Sequence, residues 1–84
     1  MEKHSHQFVE TYNGPVAFGL SREIDEASLI VYLQKVSDDQ LMEVLRKRLT
    51  EVEILQIADV ISGLLRRHLT EQEYHHLFLR EEGR

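Results

Sequence analysis

Apolar residues recur at intervals of three and four through most of the chain, which is the spacing of one face of an α-helix. The pattern is strongest between residues 51 and 67, where seven apolar side chains share one broad face: Ile54, Ile57, Ala58, Val60, Ile61, Leu64 and Leu65. Together with similar patterns elsewhere, it predicts four helices, at about 22–35, 38–48, 51–67 and 71–81. The third helix is the most apolar, and we expect it to form the centre of the domain.

A short motif, found twice at a separation of twenty residues, marks where two of these helices begin. In "RKRLTEVEI" and "RRHLTEQEY" a threonine precedes a glutamate by three positions. This is the spacing of a capping box, in which the hydroxyl accepts an N–H of the first turn and the carboxylate accepts the N–H of the cap. Three pairs have such a spacing: Thr50 with Glu53, Thr70 with Glu73, and Ser37 with Gln40. We interpret the repeat as a structural joint, whose basic residues suit the end of the preceding helix.

The first twenty residues follow a different pattern. Short apolar runs lie on both sides of Asn13-Gly14, a dipeptide typical of tight hairpin turns. Pro15 follows directly, however, and has no N–H with which to close such a turn. Two alternatives stay open: a β-hairpin, or an extended arm that packs on the helices or on a partner. The predicted fold is all-α, a small four-helix domain at 21–84 after an extended or hairpin-like N-terminal arm at 1–20.

Composition limits how such a domain can be stabilised. The chain has 84 residues and no cysteine, which excludes disulfides and thiolate metal sites. A core of this size gives only about 3–5 kcal/mol of net stability, so small proteins commonly need a metal, a disulfide or a partner subunit. We therefore expect a homo-oligomer, in the form of a dimer.

The net charge of −5 at pH 7 disfavours direct binding to a nucleic-acid backbone. Basic residues at 46–48 and 66–68 invite a helix-turn-helix interpretation, but Glu51 and Glu53 would then face phosphates. No apolar run approaches the roughly 18 residues of a membrane span. The N-terminus lacks the apolar segment of a signal peptide, so we expect a cytoplasmic protein without membrane contact.

Five histidines are the candidates for metal binding: His4, His6, His68, His75 and His76. Two ligands on a helix share a face when they lie three or four residues apart, whereas His75 and His76 are adjacent. Glu73 with His76, or Glu71 with His75, would supply only half a site. The chain also has no cysteine nucleophile and no Gly-rich phosphate loop. We predict no enzyme, no catalytic residues, no cofactor and no metal ligands.

The apolar residues exceed what one layer of small helices can bury, and such an excess is typical of a partner-binding surface. Six residues form the candidate interaction site: Phe8, Tyr12, Phe18, Tyr74, Leu77 and Phe78. The predicted function is a non-enzymatic protein–protein interaction module, a regulator or adaptor that acts as a homodimer through the arm or the C-terminal helix. One alternative is a transcription modulator that contacts DNA directly or through a partner. Another is a protein that binds metal through its histidines.

Overall fold

The structure, a computed structural model, describes residues 6–81, which divide into two compact units at 6–48 and 49–81. The α-helices in chain order are α1 (Phe8–Thr11), α2 (Arg22–Val36), α3 (Asp39–Arg48), α4 (Glu51–His68) and α5 (Glu71–Glu73). The chain continues from α5 as a π-helix at Tyr74–Phe78, and we call the two segments together the C-terminal helix. No strand occurs between residues 6 and 81, so the all-α prediction is confirmed. His4 and the outermost parts of the predicted arm and helical domain lie outside the described residues.

Both threonine capping boxes are confirmed. The Thr50 hydroxyl accepts the N–H of Glu53 at 3.1 Å, and the Glu53 carboxylate accepts the N–H of Thr50 at 2.9 Å. Thr70 and Glu73 form the same pair of hydrogen bonds at the same distances. The repeated motif therefore starts α4 and the C-terminal helix in the same way.

The predicted third box, at Ser37 and Gln40, is wrong. The cap of α3 is Asp38, whose Oδ2 accepts the N–H groups of Gln40 and Leu41 at 3.0 and 3.2 Å. The Ser37 hydroxyl instead donates backwards to the carbonyl of Gln34 at 3.1 Å. Aspartate caps a helix as well as serine does, and its negative charge also favours the N-terminal end of the helix dipole.

The C-terminal helix ends before the predicted residue 81. Its last turn is π-helical, and the N–H of Leu79 donates to the carbonyl of Tyr74 at 3.0 Å. Arg80 then adopts a positive φ of 60°, a left-handed conformation that commonly ends helices. After Arg80, the N–H of Glu81 donates back to the carbonyl of His75 at 3.0 Å, and this hydrogen bond caps the C-terminal end of the helix.

The N-terminal arm packs on α2 and does not form a hairpin within residues 6–20. After the single turn of α1, the chain has no regular structure through residues 12–20. The N–H of Val9 donates to Oε1 of Gln34 at 2.9 Å, and the backbone of Ala17 bonds to the hydroxyl of Ser28. Side chains of α2 thus satisfy backbone groups that a hairpin would have paired with a second strand.

The core enclosed by these residues is very small. Val31, at 6% exposure, is the one buried hydrophobic residue between positions 6 and 81, and Ser28 is the one buried polar residue. Neither α4 nor any other described residue of the 49–81 unit is buried. Within the 49–81 unit, residues 51–67 therefore do not form the buried centre that the sequence predicts. An apolar helix face is buried only where a neighbouring layer covers it, and the short C-terminal helix borders only one side of α4.

Candidate interaction surface on the 49–81 unit

Most of the exposed large hydrophobic residues of the 49–81 unit lie on α4. The capping box fixes where the helix begins, and Arg66, Arg67 and His68 provide positive charge in its last turn. Five large residues of its apolar face are exposed by between 43% and 61%: Ile54, Ile57, Val60, Ile61 and Leu64. Covering a half-exposed aliphatic side chain of this kind stabilises by about 1 kcal/mol. The uncovered face therefore represents several kcal/mol, which is comparable with the whole net stability of a small domain.

One flank of the α4 face borders a groove with a volume of about 520 Å³. Ala58, Ile61 and Leu65 of α4 line it on one side, and Tyr74 and Phe78 of the C-terminal helix line it on the other. The two aromatic rings are stacked, with centroids 5.3 Å apart and planes inclined by 18°. Tyr74 and Phe78 follow directly on the helix that the capping box of Thr70 and Glu73 begins.

The chemistry of this groove is that of a peptide-binding surface. Its lining is mainly aliphatic and aromatic, and the charged residues that belong to it are Arg66 and Glu71. An amphipathic helix of a partner offers the matching combination, because its apolar side chains enter a groove while its polar side chains stay outside. The π-helical segment forms part of the lining, and π-helical turns are frequent at functional sites.

The other flank of α4 carries a regular stripe, which we call the α4 stripe. Its residues follow at intervals of four, three, four and three: Glu53, Ile57, Val60, Leu64 and Arg67. The three apolar members are exposed by 48%, 61% and 46%, and no member of the stripe lines the groove. An acidic residue lies at one end of the stripe and a basic residue at the other.

The six residues predicted as an interaction site are divided between the two units. In the 6–48 unit, Phe8 and Tyr12 are half-buried and stacked with centroids 5.2 Å apart. The Tyr12 hydroxyl also donates to the carbonyl of Pro15 at 2.8 Å. Phe18 is half-exposed and meets the ring of Tyr32 edge-on at 5.1 Å. Each of these aromatic residues thus already has a contact within its own unit.

The other three predicted residues lie on the C-terminal helix. Tyr74 and Phe78 line the groove, whereas Leu77 is exposed by 49% and does not belong to the lining. The sequence prediction missed the α4 stripe, because its three apolar residues were assigned to the core. The sequence does contain a pattern that indicates the stripe. Between Glu53 and Arg67, apolar residues follow at intervals of three and four, and the two ends of the series carry opposite charges.

His75, a member of one predicted half-site, has Glu81 and not Glu71 as its hydrogen-bond partner. His6 Nε2 lies 2.9 Å from the hydroxyl of Ser37, and His75 Nδ1 lies 2.9 Å from Oε1 of Glu81. Within residues 6–81, no three histidine, aspartate or glutamate side chains converge as metal ligands. No helix of the described part of the chain is long and apolar enough to cross a membrane.

Comparison with protein-family models, with curated proteins and with solved structures finds no match to this chain.

Proposed function

We propose that this protein is a non-enzymatic protein–protein interaction module, a small regulator or adaptor that acts as a homodimer. The observation that carries this proposal is the exposed apolar face of α4, in a unit where no residue between 49 and 81 is buried. Monomeric proteins rarely expose a continuous apolar surface of this kind. Such surfaces commonly mark the site at which another protein binds.

The energy balance supports an obligatory partner subunit. Ordering the residues of a helix costs roughly 1–2 kcal/mol of backbone entropy per residue, which burial of apolar surface must offset. An isolated amphipathic helix gains little from its own hydrogen bonds, so most of its stability comes from docking its apolar face. The 18 residues of α4 have no buried member to supply that gain. A second copy would bury the apolar face of α4 in both chains at once, because the same surface of each chain forms the interface of a symmetric dimer.

The groove beside α4 supports the second half of the proposal, which is binding to another protein. Its volume of about 520 Å³ and its wall of Tyr74 and Phe78 suit the apolar side chains of an amphipathic helix. Aromatic residues are enriched among those that dominate binding energy in interfaces. We place the partner helix in this groove and the second copy on the rest of the α4 face.

Sedimentation equilibrium at tens of micromolar protein tests the homodimer. The expected result is a mass twice that of the 9.9 kDa chain. A monomer mass at that concentration overturns the homodimer.

The groove is tested with two neighbouring substitutions, Phe78→Ala and Leu77→Ala. Both residues are about half-exposed, but only Phe78 lines the groove, so Leu77→Ala is the matched control. Phe78→Ala is expected to abolish capture of a specific partner from native cell extract, while Leu77→Ala retains it. Circular dichroism of both variants establishes that the helices are intact. Equal capture by folded variants contradicts the groove as the partner site.

A further inference from the structure

The α4 stripe identifies how the two copies meet, an inference that rests on the proposed homodimer. We infer that two chains pair through this stripe, with their α4 helices antiparallel and related by a two-fold axis near Val60. The spacing of the stripe, its exposure and the charges at its ends support this pairing.

The spacing of the stripe is that of a coiled-coil seam. Intervals of four, three, four and three place Glu53, Val60 and Arg67 one heptad apart, with Ile57 and Leu64 between them. Side chains repeating in this way stay on the face that meets a second helix as the two wind around each other. The three apolar residues form the middle of the seam, and each remains about half-exposed or more.

The charges at the ends determine the direction of pairing. In a parallel pair, Glu53 would lie against its own copy, and Arg67 would do the same. In an antiparallel pair, Glu53 of one chain faces Arg67 of the other, and symmetry produces this contact twice. Ile57 then packs near Leu64 of the other chain. Like charges placed opposite each other disfavour the parallel alternative.

The antiparallel arrangement also explains why the α4 stripe is covered by a second copy of this chain. The stripe is its own complement when turned end to end, since its apolar middle is nearly symmetric and its ends carry opposite charges. Each chain has a net charge of −5, so two copies repel at long range. Local pairing of Glu53 with Arg67 reduces that repulsion where the chains touch.

Charge reversal within the full-length chain tests the pairing. Three variants are compared by sedimentation equilibrium at low salt: Glu53→Arg, Arg67→Glu and the double variant with both changes. Each single variant places like charges at both ends of the seam and is expected to weaken the dimer about tenfold, because two pairs are lost. The double variant restores opposite charges and is expected to dimerise within about threefold of the wild type. Raising the salt to about 1 M should reduce all these differences by screening.

The double variant also separates pairing from effects within one helix. Reversed charges oppose the helix dipole at both ends, so a purely local effect makes the double variant worse than either single variant. Glu53 also belongs to the capping box, and that loss persists in the double variant. The matched control is Glu51→Arg, which reverses a charge in the same first turn of α4 at a position outside both the stripe and the groove. This control is expected to leave the dimer constant unchanged, and circular dichroism reports the helix content of each variant.

The outcomes distinguish the two proposals. A monomeric wild type overturns the homodimer and this pairing with it. A dimeric wild type that tolerates both single reversals overturns the antiparallel pairing and leaves the homodimer intact. Loss in both single variants without recovery in the double variant also overturns the pairing. Recovery in the double variant, with an unaffected control, supports it.

Discussion

The hydroxyl of Ser28 accepts the N–H of Ala17 and donates to the carbonyl of the same residue, with both distances at 2.9 Å. Ser28 is completely buried, so water cannot replace either bond. One side chain on α2 therefore satisfies both backbone groups of a residue in the arm. This pair of bonds fixes the irregular arm to the helix at a point where no strand is present to do so.

Replacing Ser28 by alanine is expected to lower the free energy of unfolding by about 1–3 kcal/mol, because it leaves the half-buried N–H and carbonyl of Ala17 without their partner. Urea denaturation followed by circular dichroism measures the loss. Thr11→Ala is the control, since Thr11 is exposed and its hydroxyl donates to the carbonyl of Gln7, four positions earlier in the same turn. If the two variants lose the same stability, Ser28 does not hold the arm.

Removing either threonine cap is expected to lower stability, and removing Thr50, which lies outside the groove, is expected to leave partner binding intact. Thr50→Ala and Thr70→Ala should each lower the free energy of unfolding by about 1 kcal/mol, because each deletes the acceptor for a first-turn N–H. Thr11→Ala is the control, because that hydroxyl is exposed and caps no helix start. Denaturation and sedimentation are measured on the same samples. A variant of normal stability that no longer binds would show that the repeated motif is a binding site.

Two glycines are expected to respond to alanine in opposite directions. A Cβ on Gly63 meets nothing within 4 Å, so Gly63→Ala should stabilise α4 by about 0.5–1 kcal/mol through its higher helix propensity. A Cβ on Gly14 would lie 2.5 Å from the hydroxyl oxygen of Tyr12. Gly14→Ala must displace that ring and its hydrogen bond to Pro15, and it should destabilise the protein. Thermal melts of the two variants should shift apart; a shared direction contradicts this account.

The isolated protein is not expected to bind duplex DNA tightly. Arg46 and Lys47 each pair with Glu43 on their own helix at 3.2 Å, and Glu51 lies in the first turn of α4. These carboxylates reduce the positive potential that phosphates require. A gel shift at moderate salt provides the measurement. Sequence-specific retention at submicromolar protein, lost on substitution of Arg46 or Arg66, would favour the transcription-modulator alternative.

Features that depend on neighbours within one helical turn were predictable from the amino-acid sequence. The helix starts at Thr50 and Thr70 were predictable, because each capping box is a contact between residues three positions apart. The all-α class followed from the same kind of local periodicity. The start of α3 shows the limit of this reasoning, since Ser37 and Asp38 are both good caps. Only the backbone geometry at the end of α2 decided between them.

Features that depend on residues distant in sequence were visible only in the folded chain. Nothing local to Ala17 indicates that its backbone bonds to Ser28, eleven positions away. The periodicity of α4 identified an apolar face but not what lies against it, and a buried face and an interface have the same sequence pattern. The structure leaves Ile57, Val60 and Leu64 exposed. Burial depends on which elements pack together, and that choice is made by the whole chain through contacts that no short window of sequence contains.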